Sequence, residues 1–194
     1  MEIDRNLRRF AELGIQAHYH ACDVSDRDQV QRALARVREI SGPIRGVLHG
    51  AGVGKDARFD RKQPDKVGQC IGAKVDGAWS LMEATWNDPL EAFVGFGSIS
   101  GRFGANGHTD YSLANDMLCK QMDWLRGARA DVHAIGFHWP AWGDIGMATK
   151  PETRLALEMI HMQFMPAVEG VRHLMRELEG VSRDSEVLIT DDRY

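Results

Sequence analysis

A chain of 194 residues with 43% hydrophobic content is long enough for one well-buried domain and short for two. Its net charge of −4 and isoelectric point near 6.1, with no concentrated run of Lys or Arg, argue against nucleic acid or an anionic membrane as partner. The three cysteines lack metal-ligand spacing, and no stretch approaches the roughly 18 apolar residues of a membrane span. We therefore expect a soluble cytoplasmic protein without a metal site, whose partner is a small molecule or another protein.

The first elements of the chain alternate between helical and strand periodicity. Residues 3–13 suit a helix ended by Gly14, and residues 15–24 are predicted to form a strand that runs into a turn. Ser25 is the expected N-cap of a second helix, because acidic residues follow it in the first turn. That helix is predicted to end at residues 41–43, where Ser-Gly-Pro stands.

The rest of the chain continues the same alternation, which predicts an α/β fold. Strands separated by helices imply a parallel sheet with right-handed crossovers. The predicted strands are 46–50, 92–98, 132–139 and 186–190, and the predicted helices are 64–87, 110–127, 151–162 and 167–179.

Small or polar residues follow four successive predicted strands. In open parallel sheets, ligands bind beyond the carboxyl ends of the strands. One such match would be weak, but four at successive ends predict a ligand site at this edge. The residues are Asp23, the Gly50-Ala51-Gly52 turn, Ser98 and the Pro140-Ala141-Trp142-Gly143 segment.

Four residue types at this edge suit the reduction of a carbonyl. A ketone reduced by hydride needs a proton for its alkoxide, which Tyr111 can supply if the phenol pKa falls from about 10. A Lys74 ammonium about 4 Å away can lower that pKa by up to about three units. Ser98 can orient the carbonyl, and Asn115, one helical turn after Tyr111, can position a water or Lys74.

The spacing of these residues resembles the short-chain dehydrogenases/reductases, specifically the ketoreductase domain of polyketide and polyunsaturated fatty acid synthases. In that domain an Asn follows the Tyr by four positions and the Lys comes from the preceding helix, as Asn115 and Lys74 do here. The resemblance runs from about Gly14 to the last strand. The segments that carry it are RGVLHGAG, AKVDGAWSLM, LEAFVGFGSISGRFG, DYSLAND and FHWPAWGDIGMAT.

The resemblance implies a Rossmann-like, three-layer, doubly wound parallel sheet formed by one partial domain over residues 1–194. It also implies that two strands and a Gly-rich phosphate-binding turn are missing before Met1, so that the domain is N-terminally truncated. The missing strands would lie between the strands at 15–22 and 46–50 and leave unpaired edges. Three explanations stay open: the chain is a fragment of a larger synthase, another chain supplies the strands, or residues 15–22 pair directly with 46–50.

The resemblance further implies NADPH-dependent reduction of a β-ketoacyl thioester to the β-hydroxyacyl thioester within polyketide or fatty acid synthesis. The substrate would be carried on the phosphopantetheine arm of an acyl carrier domain. Tyr111 would be the acid, Ser98 would orient the carbonyl, and Lys74 and Asn115 would support the proton relay. The expected cofactor-binding residues are Asp23, Val24, Gly50, Ala51, Gly52, Lys74, Tyr111, Pro140, Ala141 and Trp142.

Two other functions stay open. The chain can be a non-catalytic remnant or scaffolding fragment that cannot bind cofactor alone, or a free-standing reductase of small ketones, which the positions of Asn115 and Lys74 disfavour. The sequence also departs from the family, because His138-Trp139-Pro140 stands where Asn-Trp-Gly is usual. We expect Trp79 and Trp86 to pack on the sheet. Residues 151–179 stand where the family has a substrate lid, and packing of their Met and Phe side chains into the core is the alternative that stays open.

Overall fold

The computed structural model describes residues 2–54, 57–159, 162–180 and 184–190. Its centre is an all-parallel sheet in the order β1-β2-β3-β4, which confirms the predicted α/β class. The strands follow one another across the sheet in chain order and are separated by helices. They are β1 (Gly46–His49), β2 (Ala92–Phe96), β3 (His133–His138) and β4 (Glu186–Leu188).

Two apolar cores lie on the two faces of the sheet. Successive strand residues point to opposite faces, so Phe93 packs in the core that includes Met122, whereas Val94 packs in the core next to Leu178. Both strand residues are fully buried, and burial of one such side chain contributes about 1.5–3 kcal/mol. Helices on both faces give the three-layer Rossmann-like arrangement that the sequence predicts.

The helices lie close to their predicted positions, with differences at their ends. No helix among the described residues combines the length and the apolar character needed to cross a membrane. The helices are α1 (Glu2–Glu12), α2 (Arg27–Ser41), α3 (Pro64–Ile71), α4 (Gly77–Ala84), α5 (Ile99–Phe103), α6 (Thr109–Ala128), α7 (Pro151–Met159) and α8 (Ala167–Glu179), with short 3₁₀ turns at Phe59–Arg61 and Met147–Thr149.

The helix predicted over residues 64–87 is divided in two. A π-helical turn, Gly72–Asp76, separates α3 from α4. Such a turn inserts one residue into a helix and often occurs at functional sites. Lys74 lies at its centre, so the irregularity coincides with a predicted site residue.

The strand predicted at 15–24 is wrong, because this segment is irregular in the structure. A strand exists only when a neighbour completes its hydrogen-bond ladder, and no strand in the described part of the chain pairs with the outer edge of β1. Direct pairing of residues 15–22 with β1 is therefore excluded as the explanation for the missing strands. Tyr19 in this segment is 58% exposed.

Helix α2 begins at a different cap from the one predicted. The N-cap is Asp26, whose carboxylate accepts hydrogen bonds from the backbone N–H groups of Asp28 and Gln29, both at 3.0 Å. Ser25 instead donates its hydroxyl to the Asp23 carboxylate at 2.7 Å. A charged carboxylate satisfies two helix-end donors and also complements the helix dipole, which a hydroxyl cannot match.

The prediction that Trp79 and Trp86 pack on the sheet is also wrong. They are 47% and 38% exposed, and both rings pack at a tilt against Trp124 of α6, at centroid distances of 4.9 and 6.1 Å. Helix α4 buries Ala78 and Met82 instead, so Trp79 falls on its outer face.

Candidate functional site

The C-terminal edge of the sheet carries the predicted catalytic residues. Strand β2 ends at Phe96, and the chain then enters α5 through Ser98. Helix α6 supplies Tyr111 and Asn115, and the π turn supplies Lys74.

Lys74 is buried, with 4% of its surface exposed. Its Nζ donates hydrogen bonds to the carbonyl oxygens of Phe96 at 2.7 Å and Ala51 at 3.2 Å, at the ends of β2 and β1. A Cβ on Gly52 would lie 3.1 Å from Nζ, so a larger residue there would press on the end of the lysine side chain. Burial lowers the pKa of Lys74 to about 8. The lysine is therefore poised to change charge near neutral pH.

Tyr111 lies beside the same loop. A Cβ on Gly54 would lie 3.3 Å from Cδ2 of Tyr111, while Gly52, two residues earlier, contacts Lys74. The loop after β1 thus approaches the Tyr111 ring at Gly54 and the Lys74 side chain at Gly52. The His108 ring lies 5.5 Å from that of Tyr111.

A buried ion pair anchors the start of the helix that carries Tyr111. Lys62 contacts the Asp110 carboxylate, and both side chains are less than 10% exposed. Asp110 also accepts the backbone N–H of Tyr111 at 2.9 Å. Burial raises the pKa of Asp110, but the hydrogen bonds from Lys62 and Tyr111 outweigh this effect, so the pKa lies below its usual value. The sequence analysis missed this pair.

Asn115 is fully buried one turn after Tyr111. Its Nδ2 donates to the Tyr111 carbonyl at 2.7 Å. Its Oδ1 has no hydrogen-bond partner among the described residues. A buried acceptor left unpaired costs about 1–3 kcal/mol, so this oxygen suits a donor from a water or a ligand. Its predicted role in a proton relay remains a prediction.

Ser98 has a structural function that the sequence analysis did not predict. It is the N-cap of α5, and its Oγ accepts hydrogen bonds from the backbone N–H of Ser100 at 3.3 Å and from the Ser100 hydroxyl at 3.0 Å. With Oγ as acceptor in both contacts, the Ser98 hydroxyl keeps its donor proton, and donation to a substrate carbonyl remains a prediction.

A charged network behind Ser98 was not predicted. The buried His138 ring places Nδ1 3.3 Å from the Ser98 carbonyl and Nε2 3.0 Å from a Glu186 carboxylate oxygen. Lys120 of α6 contacts the other oxygen of Glu186. The departure from the family at His138 was the signal available in the sequence, but its partner on β4 lies 48 residues away.

The residues predicted to bind cofactor fall in three places. Gly50, Ala51 and Gly52 follow β1 beside Lys74, and Pro140, Ala141 and Trp142 follow β3. Asp23 is exposed, and its hydrogen bonds from Ser25 lower its pKa. Val24 packs near Gly77, where a Cβ would lie 2.9 Å from Val24 Cγ2. These positions border the carboxyl edge of the sheet, and their contacts with a cofactor remain predictions.

Comparisons with known proteins agree with this arrangement. The sequence model of the KR domain family matches residues 2–144. The polyketide synthase Pks15/1 of phenolphthiocerol synthesis from Mycobacterium marinum is 39% identical over 138 residues, or 70% of this chain and 6% of that protein. An A1-type ketoreductase structure aligns with a TM-score of 0.87 at 29% identity, over 96% of this chain and 38% of that one.

A short-chain dehydrogenase from Burkholderia cenocepacia, in complex with NADP, has the same fold, with a TM-score of 0.83 at 17% identity over 96% of this chain and 80% of that one. The chain spans between 3% and 8% of the curated synthases that it matches.

The three-layer parallel sheet, with a lysine, a serine and a tyrosine at its carboxyl edge, defines a protein of the short-chain dehydrogenase/reductase class. Within that class, the match of the KR domain model to residues 2–144 identifies the family. The chain belongs to the KR family, the ketoreductase domains of polyketide synthases.

Proposed function

We propose that this chain is the catalytic part of an NADPH-dependent β-ketoacyl reductase of polyketide or fatty acid synthesis. The observation that carries the proposal is the buried Lys74 ammonium, which donates to the Phe96 carbonyl at the end of β2 and to the Ala51 carbonyl after β1, on the loop that also approaches the Tyr111 ring. Holding a cation in a buried site is costly, and a fold that retains one beside a phenol gains a proton donor.

Each residue then has one role. Tyr111 donates its proton to the oxygen of the reduced ketone, and the Lys74 charge stabilises the phenolate left behind. Ser98 donates a hydrogen bond from its hydroxyl to the same oxygen, keeps its own proton, and holds the oxygen toward Tyr111. Asn115 Oδ1, buried and unpartnered within the described chain, accepts from a water that resupplies the proton.

The site fits the nicotinamide half of the cofactor, which supplies the hydride when bound. Gly52 and Gly54 let the loop after β1 lie close to Lys74 and Tyr111, because a Cβ on either glycine would lie 3.1 or 3.3 Å from those side chains. The NADP complex of the Burkholderia cenocepacia neighbour supports the same cofactor class. We propose that the phosphate-binding turn and the strands beside β1 come from the parent synthase or from another chain.

The substrate proposal follows from the relatives. They are large polyketide synthases and a polyunsaturated fatty acid synthase subunit, of which this chain spans a small part. Their intermediates are acyl thioesters, so a β-ketoacyl group on the phosphopantetheine arm of an acyl carrier domain is the proposed substrate. The whole of residues 1–194 is proposed as one partial ketoreductase domain.

The test measures NADPH oxidation with a β-ketoacyl N-acetylcysteamine thioester, for this chain and for the same chain extended upstream through a Gly-rich turn. Tyr111→Phe in the extended chain should remove turnover while leaving the circular dichroism spectrum unchanged. Tyr19→Phe is the matched control, because Tyr19 is exposed on the irregular segment. Near wild-type turnover by Tyr111→Phe would contradict the assignment.

The alternative is a scaffolding fragment that binds no cofactor. The irregular segment at 15–24 and the unpaired edge of β1 in the described chain favour it. Fluorescence titration with NADPH separates the two functions. Binding by the extended chain supports the reductase, whereas absence of binding by both forms supports the scaffold.

A further inference from the structure

The π turn that carries Lys74 shares one backbone donor between two of its carbonyls. The N–H of Gly77 is shared between the carbonyls of Gly72, five residues back, and Lys74, three residues back. A shared N–H gives each acceptor a weaker hydrogen bond than a dedicated one. Carbonyls in this turn therefore need donors from elsewhere, since buried carbonyls are costly when unpaired.

Two side chains from other elements supply those donors. His49, the last residue of β1, places Nε2 2.9 Å from the Lys74 carbonyl. Gln121 of α6 donates Nε2 to the Val75 carbonyl at 3.0 Å. Adjacent carbonyls of the π turn thus accept from two different elements, one on the sheet and one on the helix that carries Tyr111.

The contact fixes the chemical state of His49. A carbonyl only accepts, so Nε2 must carry the proton. His49 is 2% exposed, and burial lowers its pKa to about 4, so the ring stays neutral above that pH. Its position is also tight, because a Cβ on Gly77 would lie 3.1 Å from Cε1 of His49.

We propose that His49 and Gln121 are positioning residues for Lys74: they hold the π turn by donating to its carbonyls and so fix the ammonium at the ends of β1 and β2. The π turn lets α3 bury Cys70 while α4 buries Ala78. Closing it to a regular α-helix would rotate one side of the turn against the other by about 100°. If α4 kept its packing on the sheet, the Lys74 side chain would then point away from the Phe96 carbonyl.

The catalytic consequence rests on the proposed reductase function, but the geometry does not. The direct readout is NMR of the 194-residue chain with ¹³C-labelled lysine, in which the Lys74 signal is assigned by its loss in Lys74→Arg. Two-bond ¹H–¹⁵N correlation of labelled histidine reports which nitrogen of His49 is protonated. Neither measurement requires cofactor or turnover.

The variants separate donation from burial. His49→Leu removes the donor, and Lys74, released toward solvent, should titrate at least one pH unit higher than in the wild type. His49→Gln keeps an N–H donor and should keep the wild-type titration. His133→Leu is the matched control, because this histidine is buried at the opposite end of the sheet and should leave the Lys74 signal unchanged.

Either of two results overturns the proposal: a folded His49→Leu chain with the wild-type Lys74 titration, or a His49 ring protonated at Nδ1 instead of Nε2. If His49→Leu fails to fold, Gln121→Met decides by the same readout, since it removes the second donor from a different helix. An upward shift in Gln121→Met supports the proposal, and an unchanged signal contradicts it.

Turnover of the extended chain tests whether this positioning matters for catalysis. His49→Leu should lower kcat at least tenfold with little change in KM for the thioester, and His49→Gln should restore it. An extended wild-type chain without activity would reject the proposed reductase function, while the NMR result would still decide whether His49 and Gln121 hold Lys74.

Discussion

Gly170 of α8 lies against the indole of Trp142, so closely that a Cβ on Gly170 would be 2.2 Å from Cη2 of that ring. Met165 holds the loop after β3 that contains Trp142. Its N–H donates to the Ala141 carbonyl at 2.8 Å, and its carbonyl accepts from the Gly143 N–H at 2.9 Å. The segment predicted as a substrate lid therefore fixes the loop predicted to contact the cofactor.

Gly170→Ala tests that relationship. The added methyl must displace Trp142, and such overpacking typically costs about 1–3 kcal/mol. We expect a lower free energy of unfolding in urea and a changed near-ultraviolet circular dichroism spectrum. Gly127→Ala in α6 is the control, because a Cβ there meets nothing within 4 Å and alanine favours a helix. Equal stability of Gly170→Ala and the wild type would show that Trp142 is not confined.

The burial of Lys74 predicts a pH dependence of stability. Its folded pKa of about 8 lies below the usual 10.5, so the unfolded chain holds this proton more tightly. The free energy of unfolding should therefore rise between pH 8 and pH 10.5, by up to about 3 kcal/mol from this group. Below pH 8 both states are protonated and the full cost of burial remains.

Lys74→Met should abolish that rise, and it should stabilise the chain near pH 7 while abolishing turnover of the extended form. The measurement is urea unfolding of the wild type and the variant at several pH values. Because other groups titrate equally in both, the difference between the two proteins isolates Lys74. A constant difference from pH 7 to pH 10 would contradict the buried, depressed lysine.

The ion pair of Glu186 predicts a loss of folding stability at acidic pH. Burial raises the pKa of Glu186, but hydrogen bonds from Lys120 and His138 outweigh it and lower the pKa below the usual 4.5. A carboxylate with a depressed pKa stabilises the fold above its unfolded pKa, and that contribution is lost as the pH falls through the folded value. Glu186→Gln should lower the free energy of unfolding at pH 7 by about 1–3 kcal/mol.

The difference between Glu186→Gln and the wild type should shrink below pH 4.5, as the native carboxylate becomes protonated. Glu91→Gln is the matched control: Glu91 pairs with Arg45, both side chains are more than 60% exposed, and such pairs contribute at most about 1 kcal/mol. A Glu186→Gln chain no less stable than Glu91→Gln would show that the His138 network does not brace Ser98.

The sequence predicted the four strands of the sheet because their apolar runs are local. GVLH, AFVGF and HAIGFH are each bounded by turn residues, and the structure places them side by side in chain order. The position of Ser98 at the carboxyl edge was also predictable, since it directly follows a strand. The grouping of Lys74, Tyr111 and Asn115 with it was predicted from the resemblance to ketoreductase domains, because these three residues lie on helical elements.

Each wrong prediction has its own physical cause. Residues 15–24 have strand periodicity but lack a ladder partner, and a pattern cannot show whether a neighbour is present. The sequence pattern allows Trp79 on either the buried or the exposed face of its helix, and its contact with Trp124 of α6 is visible only in the structure. Asp26 competes with Ser25 for the helix cap, and the choice depends on the geometry of one turn.

By itself, the sequence determined the α/β class, the order of the elements and the residue types at the carboxyl edge, because periodicity and residue chemistry act over a few neighbouring positions. Only the tertiary structure decided that a π turn carries Lys74 and that His49 and Gln121 donate to it, 25 and 46 residues away from the carbonyls they bind. The reason is physical: a helix forms a π turn only where hydrogen-bond donors from other elements and packing on two sides make that turn lower in energy than a regular α-helix.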